Sequence, residues 1–328
     1  MIAVVAPEPA SWLDSLVERL SKVDSVQVFA PWRSGVPGWP LANTIARVWQ
    51  RGHADRIQQV RFSQRALVDR LATAWLPKDA RLVLAPSFAA QRTFALAHAR
   101  GTKTALIEDM PALRGLHDDL DRAARQHPTA QFLRRYRAPA SVIARQEVEW
   151  SLSDAVLVRG EFARSRHLDR GVPGGCVMPL RPDAGVPLRP ITELPAEQPK
   201  RVLLAGIAAA RNGVFEALAA CETTATILLA RLGDGAEPGV LQSGVLRAAS
   251  LAERERLVGV DAVLAPAWCE SHHAEVALAG RLGVPIIGTA RAAGFVRLHR
   301  EVRPGSVPEL AEAIRSETAV RRIGPMAA

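Results

Sequence analysis

The sequence is poor in cysteine. Three cysteines in 328 residues, Cys176, Cys221 and Cys269, lie far apart and are odd in number. This usage excludes the disulfide framework of small secreted domains and fits a reducing compartment. The N-terminal stretch MIAVVAPEP has no charged leader and predicts a strand instead of a signal peptide. Because no apolar run approaches the roughly 18 residues of a transmembrane helix, we expect a cytoplasmic protein.

Aromatic side chains are scarce too, and a single tyrosine is available to stack on a nucleic-acid base. The formal net charge is nevertheless +9, with a pI of about 10.5. The basic residues are scattered, which argues against a nucleic-acid partner. A general positive field favours acidic partners such as nucleotides, and peripheral contact with the anionic inner face of a membrane. A solvated arginine-rich surface is the plainer interpretation, and both stay open.

The chain does contain a repeated alternation of short apolar runs and helical segments. The runs are rich in Val, Ile, Leu and Ala, as expected for parallel strands covered by helices on both faces. They lie at 2–6, 26–30, 81–86, 104–108, 154–159, 201–206, 224–230, 245–250, 261–267 and 284–290. The pattern predicts an α/β fold with two Rossmann-like, doubly wound domains that face a cleft.

A stretch rich in proline and glycine separates the two sets of runs. Residues 171–201 contain seven prolines and four glycines, a composition typical of a linker. We therefore expect an N-terminal Rossmann-like domain over 1–180, a Pro-rich linker over 181–200 and a C-terminal Rossmann-like domain over 201–328. A ligand site is expected where the carboxyl ends of the strands face the cleft.

Four stretches stand in an order and spacing typical of one enzyme family. They are ARQEVEWSLSDAVLVRGEFARSRHLDRGVP at 144–173, RVLLAGIAAARNGVFEALAA at 201–220, LVGVDAVLAPAWCESHHAEVALAGRLGVPIIGT at 257–289 and VRPGSVPELAEAIRS at 302–316. Together they resemble the GT-B glycosyltransferases, in particular glycosyltransferase family 4. The resemblance implies a nucleotide-sugar donor in the C-terminal domain and a saccharide, lipid-linked or protein acceptor in the N-terminal one. It also implies transfer with retained configuration and no metal or other cofactor.

The resemblance assigns a donor-sugar loop. Family members carry two glutamates eight positions apart. Aligned through Gly283 and Pro285, the first falls on Glu270 and the second on Leu278. Glu270 is then expected to contact the sugar, and Leu278 stands where relatives place a carboxylate against the ribose. A plain helix-capping role is the alternative for Glu270.

The resemblance also assigns a phosphate loop. The family's arginine after the first glycine corresponds to Ile207, which follows Gly206, and its lysine corresponds to Asn212, which precedes Gly213. Arg211, at the start of the helix predicted to follow, is the substitute cation. A guanidinium and helix N-terminal amides stabilise the charge that develops on a diphosphate leaving group. An ordinary exposed arginine is the alternative.

The sequence CESHH invites a metal interpretation through Cys269, His272 and His273. Adjacent histidines on a regular helix cannot both face one ion, and no second ligand cluster is visible, so we expect no metal site. We expect Ser271, His272 and His273 to line the donor pocket. The proximity of Ser271 to the two histidines does not indicate a hydrolase, because no G-x-S-x-G elbow is present.

In the first half, Glu108 and Asp109 follow a predicted strand. Either could serve an acceptor hydroxyl as a general base or orienting group, or both could be solvated acids in a turn. Arg145 and Glu149 match the family pattern and are predicted to form an exposed helix pair of small energetic weight.

Two hypotheses from different classes follow. The first is an active glycosyltransferase, favoured by Glu270 and Arg211. The second is a glycosyltransferase-like pseudoenzyme, a binding or scaffold partner that kept the fold and lost donor affinity. The residues Ile207, Asn212 and Leu278 favour the second, because each replaces a polar anchor of the family.

Overall fold

The structure is a computed structural model, and it describes residues 1–8, 10, 13–31, 57–130, 133, 137–180, 199–233 and 235–319. Of the predicted linker at 181–200, only the last two residues belong to this part of the chain. The chain divides into two compact units. The first unit comprises Met1–Arg114, Arg135–Arg159 and Arg164–Asp183, and the second comprises Gly115–Arg134, Gly160–Ala163 and Ala184–Ala328. The second unit is therefore discontinuous in sequence.

The first unit contains a parallel sheet with the strand order β2-β1-β3-β4-β5-β6. The strands are β1 Ile2–Val5, β2 Val26–Phe29, β3 Leu82–Pro86, β4 Lys103–Glu108, β5 Ala155–Val158 and β6 Val177–Pro179. The described helices in this half of the chain are α1 Leu13–Ser21, α2 Ile57–Trp75, α3 Gln91–Ala99, α4 Leu113–Gln126, α5 Ala140–Ser151 and α6 Glu161–Leu168.

The second unit contains a parallel sheet with the order β12-β11-β10-β7-β8-β9. Its strands are β7 Arg201–Ile207, β8 Ile227–Arg231, β9 Leu246–Ala248, β10 Ala262–Ala265, β11 Ile286–Gly288 and β12 Arg300–Glu301. The helices after β7 are α7 Val214–Thr224, α8 Leu251–Arg256, α9 Ala274–Leu282 and α10 Val307–Ala319.

Both faces of each sheet are covered, which explains why the strands lack polar alternation. In β7, Leu204 packs into one core cluster and Leu203 into another on the opposite face. In β3, Leu84 and Val83 divide between two clusters in the same way. Successive side chains of a strand point to opposite faces, so a strand buried on both sides is apolar throughout.

All ten predicted apolar runs contain strands, which confirms the α/β fold class. Two edge strands were not predicted. β6 lies inside the stretch 171–201, which is rich in proline and glycine, and β12 follows the last predicted run. An edge strand pairs on one side only, so it can be as short as two or three residues and can end on a proline such as Pro179. Such a strand leaves almost no periodic signal. Within the described part of the chain, no helix has both the length and the apolar character to cross a membrane.

Candidate functional site

Two loops of the second unit meet at the carboxyl ends of β7 and β10. We call residues 206–213 the first loop and residues 266–273 the second loop. The main-chain N–H of Trp268 donates a hydrogen bond of 2.9 Å to the carbonyl oxygen of Arg211. The predicted phosphate loop and the predicted sugar loop are thus joined by a direct main-chain contact.

Two glycines of the first loop allow this close approach. Gly206 and Gly213 have φ angles of +81° and +79°, which favour glycine. A Cβ atom on Gly213 would lie 2.3 Å from the carbonyl oxygen of Pro266. A Cβ atom on Gly206 would lie 2.5 Å from Cε1 of His273. A larger residue at position 213 would force the two loops apart, and one at position 206 would clash with the ring of His273.

The imidazole of His273 lies among positively charged groups. Burial, together with the electrostatic effect of Arg211, His272 and Arg231, lowers the pKa of His273 to about 3. The ring is therefore neutral at pH 7. Cationic groups gathered around a neutral imidazole create a potential that favours an anion. Arg231, which ends β8, was missed by the sequence analysis; an arginine directly after an apolar run was the available signal.

Several polar atoms of the two loops are enclosed without a hydrogen-bond partner among the described residues. They include Oδ1 of Asn212, Oγ of Ser271 and Nε2 of His273. Asn212 is only 2 % exposed, and its Nδ2 donates to the carbonyl oxygen of Ile207 at 2.8 Å. Buried polar groups normally have partners, so this cluster is suited to a polar ligand.

Glu270 lies in the second loop and is 6 % exposed. Its Oε1 is 3.2 Å from Nε2 of His272. The N-cap residue of α9 is His273, and its side chain makes no capping hydrogen bond. The main-chain N–H of Ser271 donates to the carbonyl oxygen of Arg291 at 3.0 Å and holds the loop beside β11. In the described residues, no group of three His, Cys, Asp or Glu side chains is arranged to hold a metal ion.

The structure places two assigned donor residues differently from the sequence prediction. Arg211 does not open the following helix: it lies in a 3₁₀ turn, Ala210–Asn212, and the left-handed Gly213 separates that turn from α7. Leu278 of α9 is partly buried and packs against the core cluster that contains Val276 and Ala279. Leu278 therefore contributes to packing.

In the first unit, Glu108 ends β4 and is enclosed, so the interpretation as a solvated acid is wrong. Its Oε1 accepts hydrogen bonds from Ser87 Oγ at 2.6 Å and from Gln146 Nε2 at 3.0 Å. Its Oε2 accepts from Trp150 Nε1 at 2.5 Å. Burial raises the pKa of Glu108 to about 8, against the effect of these donors.

Asp109 is not a solvated acid either. The guanidinium of Arg65 donates to both of its carboxylate oxygens at 2.8 Å, and also to Glu8 at 2.5 Å. Burial of Arg65 opposes its charge, yet Asp109 and Glu8 together raise its pKa. The carboxyl ends of β1 and β4 thus present a fixed set of charges that includes two carboxylates.

The prediction of an exposed pair for Arg145 and Glu149 was wrong. Glu149 is fully buried and accepts hydrogen bonds from the main-chain N–H groups of residues 88, 90 and 91 at 2.5, 3.1 and 3.1 Å. Arg145 bridges Glu149 at 3.1 Å and the buried Asp69 at 2.7 Å. Burial raises the pKa of Glu149 to about 7. The two carboxylates hold the start of α3 and the loop before it, where Phe88 has a φ of +68°.

Comparison with solved structures gives matches over almost the whole chain at low sequence identity. The lipopolysaccharide outer core galactosyltransferase WaaB has a TM-score of 0.55 and 12 % identity, over 97 % of this chain and 90 % of that one. HepE from Anabaena, in complex with UDP, has a TM-score of 0.55 and 12 % identity, over 96 % and 89 %. Sucrose-phosphate synthase from Thermosynechococcus elongatus has a TM-score of 0.54 and 15 % identity, over 97 % and 89 %.

These matches and the two parallel sheets show that the chain has the GT-B fold of glycosyltransferases. No protein-family model matches the sequence, and no curated protein matches it. The assignment to glycosyltransferase family 4 stays a prediction.

Proposed function

We propose that the protein is a glycosyltransferase that binds a nucleoside-diphosphate sugar at the first and second loops. One observation carries the proposal: cationic groups and three enclosed, unpartnered polar atoms lie together where Gly206 and Gly213 bring the loops close. A diphosphate matches this chemistry, because it supplies negative charge and many hydrogen-bond acceptors. HepE, a structural neighbour, has been solved with UDP and with UDP-glucose, which supports the choice of ligand.

In this proposal, Arg211 and Arg231 stabilise the diphosphate leaving group. Negative charge develops on its oxygen as the glycosidic bond breaks, and fixed cations lower the energy of that state. The neutral His273 donates from Nε2 to a phosphate oxygen. Asn212 and Ser271 orient the ligand through Oδ1 and Oγ, which can accept from ribose or sugar hydroxyls.

Glu270 is assigned to the donor sugar. An enclosed carboxylate beside His272 can accept hydrogen bonds from sugar hydroxyls, and such contacts matter most when they tighten in the transition state. The resemblance to family 4 supports transfer with retained configuration and without a metal.

The acceptor is assigned to the first unit. There Asp109, fixed by Arg65, is the group proposed to orient or deprotonate an acceptor hydroxyl, and Glu108 lies behind it in a buried network. A saccharide, a lipid-linked glycan and a protein are all compatible acceptors. The net charge of +9 supports peripheral contact with an anionic membrane face, on the cytoplasmic side.

A glycosyltransferase-like pseudoenzyme is the second candidate. It is favoured by Leu278, which packs in the core where relatives carry a carboxylate, and by Ile207 in place of a family cation. A protein of this kind would keep the fold and act as a binding or scaffold partner.

The test measures the melting temperature of the protein with UDP, GDP, dTDP and the sugar derivative of each, one ligand at a time. Calorimetry then gives the dissociation constant of the ligand that binds most tightly. A ligand present at about 100 times its Kd adds roughly 2.7 kcal/mol to the free energy of unfolding and raises the melting temperature. Failure of all these ligands to bind would contradict the proposed function. Binding without release of the nucleotide, with water or any of a panel of acceptors, would select the pseudoenzyme.

The phosphate assignment is tested with Arg211→Ala, and Arg281→Ala serves as the control because it removes an equal charge at an exposed position of α9. Loss of a charge-assisted contact should weaken the binding of UDP by about 1.5–3 kcal/mol and the binding of uridine much less. Equal losses for UDP and uridine would remove the phosphate role of Arg211.

A further inference from the structure

Trp268 is held on three sides, and it lies two residues before Glu270. Its main-chain N–H donates to Arg211, as described above. Its indole Nε1 donates to Oε1 of Glu216 at 2.9 Å. Its ring lies against Gly305, where a Cβ atom would fall 2.6 Å from Cζ2 and Cη2. The orientation of this side chain therefore bears on both Arg211 and Glu270.

Glu216 is a buried carboxylate in the first turn of α7, and it is 1 % exposed. Its Oε1 accepts two hydrogen bonds, from Trp268 and from Nε2 of His127 at 2.6 Å. Its Oε2 is enclosed and has no hydrogen-bond partner among the described residues. Burying a carboxylate is costly, and an apolar side chain would fill this space at lower cost. Compared with an apolar side chain, the carboxylate contributes the two hydrogen bonds that its Oε1 accepts from Trp268 and His127.

His127 completes the arrangement within the second unit. Its ring packs against Phe215, with centroids 4.8 Å apart, and meets Trp268 edge-on at 6.2 Å. A ring nitrogen 2.6 Å from a carboxylate oxygen carries the proton, so His127 donates. The imidazole and the indole thus both hold Oε1 of the Glu216 carboxylate.

We propose that Glu216 is a positioning residue of the donor site, which fixes Trp268 and thereby sets the spacing between Arg211 and Glu270. The proposal rests on the function proposed above, because it takes these two residues to bind the phosphate and the sugar. If the indole turns, the hydrogen bond to the carbonyl of Arg211 and the path of the chain to Glu270 change together. Glu216 itself need not contact the ligand.

The first experiment measures amide hydrogen exchange of the second loop without ligand. Glu216→Met removes the acceptor at nearly constant volume and should raise the exchange rate of residues 267–273 about tenfold or more. Glu216→Gln keeps an oxygen for Trp268 and should restore rates to within about threefold of the wild type. Glu222→Met, at an exposed position of the same helix, is the control. Unchanged exchange in Glu216→Met would overturn the proposal.

The second experiment compares the dissociation constants of UDP and UDP-glucose, with GDP and GDP-mannose in parallel. In Glu216→Met the extra affinity contributed by the sugar should fall about tenfold, and the affinity for the diphosphate alone should stay within about threefold. A purely structural role would lower the melting temperature and leave the ratio of the two constants unchanged, which would also overturn the proposal. Glu216→Gln should recover the ratio.

Trp268→Phe guards against misfolding of the Glu216 variant, because it keeps most of the ring and removes the indole N–H. In Trp268→Phe, too, the extra affinity contributed by the sugar should fall about tenfold. An unchanged ratio of the dissociation constants of UDP and UDP-glucose counts against the proposal. Wild-type protein that binds none of these four ligands, and neither dTDP nor its sugar derivative, contradicts the proposed function itself, and the positioning role in a donor site is contradicted with it. Wild-type binding with an unaffected ratio in the variants contradicts the positioning role alone.

Discussion

The imidazole of His273 occupies the space that a side chain at position 206 would need. Gly206 has a φ of +81°, and a Cβ atom built on it would lie 2.5 Å from Cε1 and 2.7 Å from Nδ1 of His273. The end of β7 and the start of α9 can therefore lie in contact only because Gly206 has no side chain. This contact gives the first prediction.

Gly206→Ala should lower the free energy of unfolding by about 2–4 kcal/mol, because an unfavourable φ and a steric clash act together. Gly235→Ala is the matched control: its φ is +96°, and the nearest atom to its Cβ position is 3.7 Å away. Chemical unfolding of both variants measures the two losses. The loss in Gly235→Ala reports the unfavourable φ alone, and the excess in Gly206→Ala reports the steric clash. Equal losses would show that His273 moves aside without cost.

The stability of the protein should depend on pH through His273. Its pKa is about 3 in the folded state and 6.5 in the reference state, so the unfolded chain binds the proton more tightly. This contribution to stability is present above pH 6.5 and is lost as the pH falls towards 3. Between pH 7 and pH 5 the loss should be about 2 kcal/mol. The measurement is urea unfolding of the wild type and His273→Gln at both pH values, and a parallel pH dependence in the two proteins would contradict the assignment.

Glu149→Gln should destabilise the first unit by about 3 kcal/mol or more, because it weakens a buried network that holds Arg145 and three main-chain N–H groups. Glu147→Gln on the same helix is the control. Glu147 pairs with Arg114 at the surface, where the side chains are 37 % and 62 % exposed. A surface pair contributes about 0–1 kcal/mol. Thermal and chemical unfolding measure both, and equal effects would refute the buried network as a source of stability.

Leu278→Glu should cost about 2 kcal/mol of stability, because it places a carboxylate against an apolar core cluster. Leu241→Glu, at a leucine of the same unit that is 57 % exposed, should change little. A folded Leu278→Glu protein with tighter nucleotide binding would instead place Leu278 against a ribose. A loss of stability with no gain in affinity is the expected result; it gives Leu278 a packing role, and the donor role of Glu270 is tested separately with Glu270→Gln.

Glu270→Gln should leave the melting temperature nearly unchanged and lower kcat/KM about tenfold or more, because the charge should matter most in the transition state. The assay is transfer to the acceptor found in the panel described above. If kcat/KM equals that of the wild type, Glu270 has no role in transfer.

The fold was largely predictable from the sequence, because a strand buried on both faces must be apolar along its whole length. Local composition alone therefore predicted strands within runs such as 201–206 and 261–267. The burial of Glu149 was not predictable in this way. Its main-chain partners are the N–H groups of residues 88, 90 and 91, about sixty positions away, and helical spacing reports only on neighbours three or four residues apart.

The candidate site was predictable in outline only. The resemblance pointed to the two loops and to Gly206 and Gly213 of the first loop. It gave no hint that His273 would fill the space beside Gly206, or that Trp268 would join Arg211 to the second loop. Both contacts depend on how β7 and β10 pair, and pairing across a sheet is not encoded in any short stretch of sequence.

The discontinuity of the second unit decides where the chain can be cut. A fragment that begins at residue 199 would contain every strand of the second sheet but would lack residues 115–134 and 160–163. Glu216 would then lose His127, and Arg291 would lose Asp119, 3.4 Å away, as well as the ring of Phe162. Exchange of the C-terminal half between chains of this fold at the Pro-rich stretch would leave buried charges of one parent against side chains of the other. A chimaera that carries both short segments along with the C-terminal half keeps these pairs intact.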